Sequence, residues 1–215
     1  GVLFTSEYIS GKTFFGAKVI PNRGAWLEFE TNSRNVISVK VDRKRRIPIT
    51  TFLRALAKLD DKQIKALFKD VDTNKEASYI NATLARDPAK TYDEALVEVY
   101  KRIRPGDLVT PETAQQYIET IFFNPKRYDL GRVGRYKINQ RLQLNIPNTA
   151  KNRVLRFEDI IETIKEIIRL NNTPGSQPDD VDHLKNRRVR AVGELVQNRL
   201  RVGLLRMERI IKDRM

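Results

Sequence analysis

The apolar side chains of this chain change period once, and that change limits the folds open to it. Up to about residue 47 they alternate at every second position, the mark of strands with one buried face. From residue 48 they recur every three or four positions, the mark of amphipathic helices. Residues 2 to 5 and 13 to 20 read as strands around a Ser10-Gly11 turn, and Pro21-Asn22-Arg23-Gly24 reads as a second turn. In residues 25 to 30, Trp26, Glu28 and Glu30 share one face while Leu27 and Phe29 take the other. After a third turn over residues 31 to 35, Ile37, Val39 and Val41 alternate with Ser38, Lys40 and Asp42. This pattern predicts an antiparallel meander with one wet face.

The helical half carries its own start signals. Thr50 stands where it can cap a short helix bearing Phe52, Leu53 and Leu56. Asp60 with Gln63, and Thr91 with Glu94, have capping-box spacing. Thr110-Pro111 combines an N-cap with proline at the first helical position. Residues 130 to 142 read as a basic helix, and residues 157 to 170 as a strongly periodic one with Ile160, Ile161, Ile164, Ile167 and Ile168. A linker follows, Asn171-Asn172-Thr173-Pro174-Gly175-Ser176-Gln177-Pro178, and residues 189 to 215 then read as one long basic helix. The expected class is α+β: a small antiparallel sheet, then a mostly helical domain, ending in a long basic helix. The boundary falls near 178, giving domains of 1–178 and 179–215. The first residues open inside a strand pattern and the last ones stop inside a helical pattern, which reads as a fragment of a longer chain.

Composition narrows the chemistry. Without cysteine there is no disulfide framework, thiolate zinc site or cysteine nucleophile, and one histidine leaves little material for a multi-histidine metal centre or a Ser-His-Asp protease. No run of 18 apolar residues and no apolar stretch after a basic N-terminus occurs, so neither a membrane span nor a signal peptide is expected. The net charge of +14 points to polyanionic partners, nucleic acid ahead of acidic membrane.

Three constellations stand out. Asp179-Asp180-Val181-Asp182-His183 has the side chains of a metal site, of a helix cap, and of an acceptor for a ligand that donates hydrogen bonds. Arg43-Lys44-Arg45-Arg46 is either a solvated turn or a phosphate contact, and the arginines after residue 185 pose the same choice. Trp26, the only tryptophan, is either packed under a loop or exposed as a stacking platform for an unpaired base. Gly131-Arg132-Val133-Gly134-Arg135 follows no strand and is discounted as a phosphate loop.

Four segments carry a family resemblance. Residues 179 to 195, DDVDHLKNRRVRAVGEL, closely resemble the DDIDHLGNRRVRSVGEL segment of the bacterial and plastid RNA polymerase beta subunit. PNRGAWLEFE at 21 to 30, ALVEVYKRIRPG at 95 to 106 and FFNPKRYDLGRVGRY at 122 to 136 resemble three further segments, in that family's order. Lys185 departs from the family's usual glycine, and the Arg-Ser-Pro that the family carries just ahead of the position of Gly1 is not in this sequence.

The resemblance implies a beta lobe domain, followed by a helix of the adjoining protrusion domain. It implies a DNA-contacting module that lines the polymerase cleft and binds the non-template strand and downstream duplex. By resemblance, Trp26 stacks on an unpaired base. Asp182 accepts from a flipped guanine, with Asp42, Val181, Leu184 and Arg187 around it, and Arg43, Arg45 and Arg46 meet phosphate. It implies no catalytic residue, metal ligand or cofactor in this stretch, although the parent complex is a nucleotidyltransferase. The implied partners are DNA, the remaining polymerase subunits, sigma factor and possible transcription factors, in the bacterial cytoplasm or the plastid stroma. A stand-alone basic nucleic-acid-binding protein is the alternative, and a metal-dependent hydrolase using Asp179, Asp180, Asp182 and His183 a third.

Overall fold

The computed structural model describes residues 1–9, 11–74 and 78–215. The expected Ser10-Gly11 turn therefore lies partly outside the described residues. The chain forms two compact units, Gly1–Asp179 and Asp180–Met215.

The first unit opens with five strands: β1 (Val2–Ile9), β2 (Lys12–Val19), β3 (Leu27–Thr31), β4 (Ile37–Val41) and β5 (Ile47–Pro48). They form one antiparallel sheet in the order β1-β2-β3-β4-β5, the meander that the alternation predicts. Register explains the core. Phe4, Ala17, Phe29, Val39 and Ile47 pair in a single row across all five strands, and Val2, Val19, Leu27 and Val41 form a second row. A slip of one residue anywhere would turn a strand's apolar set to the opposite face. Each large apolar side chain so buried stabilises the fold by roughly 1.5–3 kcal/mol. Close strand approach also selects Gly16, where a Cβ would stand 2.3 Å from the Phe29 carbonyl oxygen.

The opposite face is less wet than its sequence reads. Glu28 is buried, flanked by Lys18 and Arg43, each 3.8 Å away. Glu30 accepts hydrogen bonds from Lys40 and from Arg46. Burial pushes the Glu30 carboxyl up, but these two cations outweigh it and hold the group below its ordinary value.

Helices α1 (Ile49–Ala57), α2 (Asp61–Leu67), α3 (Tyr79–Leu84), α4 (Tyr92–Ile103), α5 (Pro111–Phe122), α6 (Gly131–Leu142) and α7 (Phe157–Asn172) complete this unit. Both expected capping boxes form, at Asp60/Gln63 and Thr91/Glu94, and Thr110 caps α5 with Pro111 after it. Thr50 does not cap α1. Pro48 holds the N-cap position, and the Thr50 hydroxyl is buried without a partner. The expected linker starts two residues late, because α7 runs through Asn172. Asn171 is held there: it accepts from the Phe15 amide at 3.0 Å and donates to the Phe15 carbonyl, joining α7 to β2.

Arg135 is the largest structural departure from the basic helix read in the sequence. It is fully buried, paired through both terminal nitrogens with Asp159, and it donates to the carbonyls of Asn152 and Val154. One guanidinium thus joins α6, the irregular segment after it and the first turn of α7.

The second unit begins with a tight acidic loop and continues as α8 (Val192–Arg214). This helix starts three residues later than its pattern predicts, and none of its residues is buried.

Candidate nucleic-acid interface

Sheet register also builds the first candidate site. Leu27 pairs with Val41, so the residues just outside that pair, Trp26 and Asp42, face each other. The Trp26 amide donates to the Asp42 carboxylate at 2.7 Å, and the Asp42 amide to the Trp26 carbonyl at 3.0 Å. Trp26 therefore precedes β3 rather than lying within it. The segment before it is pinned from the other side. The Asn22 and Arg23 amides donate to the Asp129 carbonyl, the Asp129 amide donates to the Arg23 carbonyl, and at Gly24 (φ 122°) a Cβ would stand 2.7 Å from the Tyr128 ring. Only glycine fits that approach and that backbone angle.

After β4 the chain reverses sharply. Asp42 (φ 48°) and Arg43 (φ 59°) are both left-handed, and the Lys44 amide closes the turn on the Val41 carbonyl at 2.9 Å. Left-handed backbone costs a non-glycine residue roughly 1–2 kcal/mol. The Asp42–Trp26 hydrogen bonds offset part of that cost. The turn presents Arg43, Lys44, Arg45 and Arg46, all exposed. The Arg43 guanidinium lies over the Trp26 ring, 5.5 Å from its centre, and the indole is 36% exposed. An accessible ring under one guanidinium, next in sequence to three further exposed basic residues, suits a phosphate chain carrying unstacked bases.

The second candidate set lies on the loop that opens the unit of residues 180–215. Asp180 organises it: its carboxylate accepts from the amides of Asp182 and His183, and its carbonyl from the Asn186 side chain at 2.6 Å. His183 caps a short 3₁₀ turn by accepting from the Lys185 amide. Asp182 caps nothing. Its side chain is 93% exposed, with the Arg187 guanidinium 3.5 Å away, and Val181 and Leu184 are exposed beside it. Asp179 belongs to the other unit, where it accepts from the Phe4 amide at 2.9 Å and from Arg141. The acidic run is thus divided among a strand-edge contact, a loop organiser and one exposed carboxylate paired with Arg187. Among the described residues no group of three or more His, Cys, Asp or Glu side chains converges as a bound metal ion requires.

These elements coincide with a known domain. The model of the family described as RNA polymerase Rpb2, domain 2, matches residues 4–190. The chain belongs to that family. It is 48% identical over its whole length to the DNA-directed RNA polymerase subunit beta of Dehalococcoides mccartyi, covering 17% of that protein. It is 49% identical to the subunit of Chloroflexus aggregans and 46% to that of Gloeobacter violaceus, again over its whole length, covering 20% and 18% of them. The chain therefore spans about a fifth of the length of these curated relatives. The Rpb2 domain 2 match includes both candidate sets. Trp26, Asp42, Arg43, Arg45 and Arg46 stand together in the first unit, and Val181, Asp182, Leu184 and Arg187 follow one another on the loop of the second.

Sequence reading missed the cationic and aromatic neighbours of the basic turn in this Rpb2 domain 2 chain. Arg102 of α4 donates to the Arg46 carbonyl at 3.2 Å, and Arg104 lies over the Tyr117 ring at 5.7 Å. The only local hint was the clustering of Arg102 and Arg104 beside the Pro105-Gly106 stop. No helix among the described residues is long and apolar enough to cross a membrane.

Proposed function

We propose that the chain is a DNA-contacting lobe module of the RNA polymerase beta subunit, lining the cleft and binding the non-template strand and downstream DNA during transcription. The observation that carries this reading is the Trp26–Arg43 pair on a strained turn of four exposed basic residues. An accessible ring amid cations serves stacking and phosphate contact together, and the net charge of +14 supplies the long-range attraction. In this reading the chain contributes binding surface, and nucleotidyl transfer belongs to the assembled DNA-directed RNA polymerase. The partners are the other polymerase subunits, sigma factor and transcription factors, in the bacterial cytoplasm or plastid stroma.

Asp182 is the base reader. A guanine Watson–Crick edge presents N1–H and N2–H donors side by side, and a free carboxylate accepts both. No other standard base offers that pair. The exposure of Asp182, and the use of Asp180 and Asp179 elsewhere, leave it as the acceptor of the run. Val181 and Leu184 supply apolar contact and Arg187 a cation on the same loop.

The test is open-complex lifetime of the assembled polymerase with each of the four bases at successive non-template positions. Asp182→Ala should remove a guanine preference at one position, worth about 1–3 kcal/mol for a bidentate base contact. Trp26→Ala should shorten lifetimes without altering that preference. Four lifetimes left in their wild-type ratio by Asp182→Ala would refute base reading. Lifetimes unmoved by Trp26→Ala and by Ala at Arg43, Arg45 and Arg46 together would refute DNA contact.

A further inference from the structure

The basic turn has a second aromatic neighbour in the unit of residues 1–179. Arg102, in the last turn of α4, donates to the Arg46 carbonyl and ties that helix end to the turn. Two residues on, just past α4, Arg104 projects over Tyr117 of α5. Tyr117 is half-buried, and the Tyr100 ring meets it edge-on, with centres 5.1 Å apart and planes at 71°. The arrangement is held from below. The Tyr100 hydroxyl donates to Asp107 at 3.3 Å, and Asp107 pairs with Arg104 at 3.0 Å, so the guanidinium is anchored while remaining half exposed.

The Asp42 carboxylate receives the Trp26 amide, and its charge is felt at the Tyr117 hydroxyl. Burial pushes that hydroxyl above its ordinary value, Arg104 pulls it down, and Tyr100, Asp42 and Asp107 push it up. Trp26 under Arg43 and Tyr117 under Arg104 are thus two copies of one device, a ring with a guanidinium over it, in the same unit. An arginine plane over a ring is a surface on which a base stacks, and the same group reaches the neighbouring phosphate.

We infer that Tyr117 with Arg104 forms a second stacking position for an unpaired base of single-stranded DNA, farther along the same strand than the base on Trp26. The inference rests on the DNA-contact reading above and extends it to residues outside the basic turn.

Its test uses the assembled polymerase in an open complex, with 2-aminopurine placed singly at successive non-template positions. The probe is quenched when stacked. Tyr117→Leu keeps an apolar side chain against Tyr100 and removes the ring. It should dequench one position and leave the Trp26 position quenched, and the open complex should dissociate about 5- to 150-fold faster, the range for one base–aromatic stack. Trp26→Ala should dequench a different position. Tyr117→Phe should behave as wild type. If Trp26→Ala dequenches a position and Tyr117→Leu dequenches none, or the same one, the second position does not exist while the DNA-contact reading stands. If neither variant changes any position, both fail. If Tyr117→Phe dequenches as fully as Tyr117→Leu, the hydroxyl rather than the ring makes the contact, and stacking is refuted.

Discussion

Replacing Asp159 by leucine should strongly destabilise the first unit. The Arg135 guanidinium it pairs with is 0% exposed and makes four hydrogen bonds, two of them to the Asp159 oxygens at 2.6 and 2.9 Å. Asp159 also accepts the Arg156 amide at the start of α7. Asp159→Leu removes both charge-assisted bonds and that cap, and leaves a buried cation without its counter-charge. Breaking such a pair from one side costs about 3–5 kcal/mol, a large part of a total stability of about 5–15 kcal/mol. At about 2–4 °C per kcal/mol for a chain of this size, the melting temperature should fall by roughly 6–20 °C. The assay is urea and thermal unfolding of the 215-residue chain followed by near-ultraviolet circular dichroism. Every tyrosine and the single tryptophan lie before residue 137, so this signal reports the first unit. The double variant Arg135→Met with Asp159→Leu removes both charges. It should recover much of the loss, because no buried charge is left, although the Asn152 and Val154 carbonyls then lack their donor and the Arg156 amide its acceptor. An Asp159→Leu cost below about 1 kcal/mol, or a double variant no more stable than the single, would refute the reasoning.

Thr50→Val should raise stability by about 1 kcal/mol, since it replaces a buried hydroxyl without a partner by a methyl group of the same shape; a loss of stability in the same unfolding assay would mean that the hydroxyl is satisfied. Glu30 is held below its ordinary value when folded, so its contribution to stability is present above the unfolded value of 4.5 and is lost as pH falls through the lower folded value. Replacing Lys40 and Arg46 by methionine leaves only burial acting on Glu30, so its titration, followed by side-chain carboxyl chemical shift, should move upward; an unchanged midpoint would disprove the assignment.

The division between what was legible and what was not follows the range of the forces involved. The meander, both capping boxes and the Thr110-Pro111 start could be read from the chain because each is decided within a few residues. A strand face is set by alternation, and a cap by a side chain reaching amides two or three positions on. Trp26 and the basic turn were visible for the same reason, as residue types standing next to each other. Thr50 looked like a cap, but Pro48 began the helix two residues earlier and packing closed over the hydroxyl. Glu28 looked solvated, but Lys18 and Arg43 came from β2 and from the turn after β4 to cover it. Arg135 looked like one more surface cation on a basic helix. Its burial required Asp159, 24 residues away, to arrive with matching geometry, and a guanidinium in a field of other cations gives no local sign of that partner. Arg104 and Tyr117 are separated by an intervening loop, and only the packing of α4 against α5 puts one over the other. The sequence alone therefore determined the elements and the chemical character of the surface. The tertiary structure decided which charges are buried and which rings stand together, because both depend on groups distant in the chain meeting where water has been excluded.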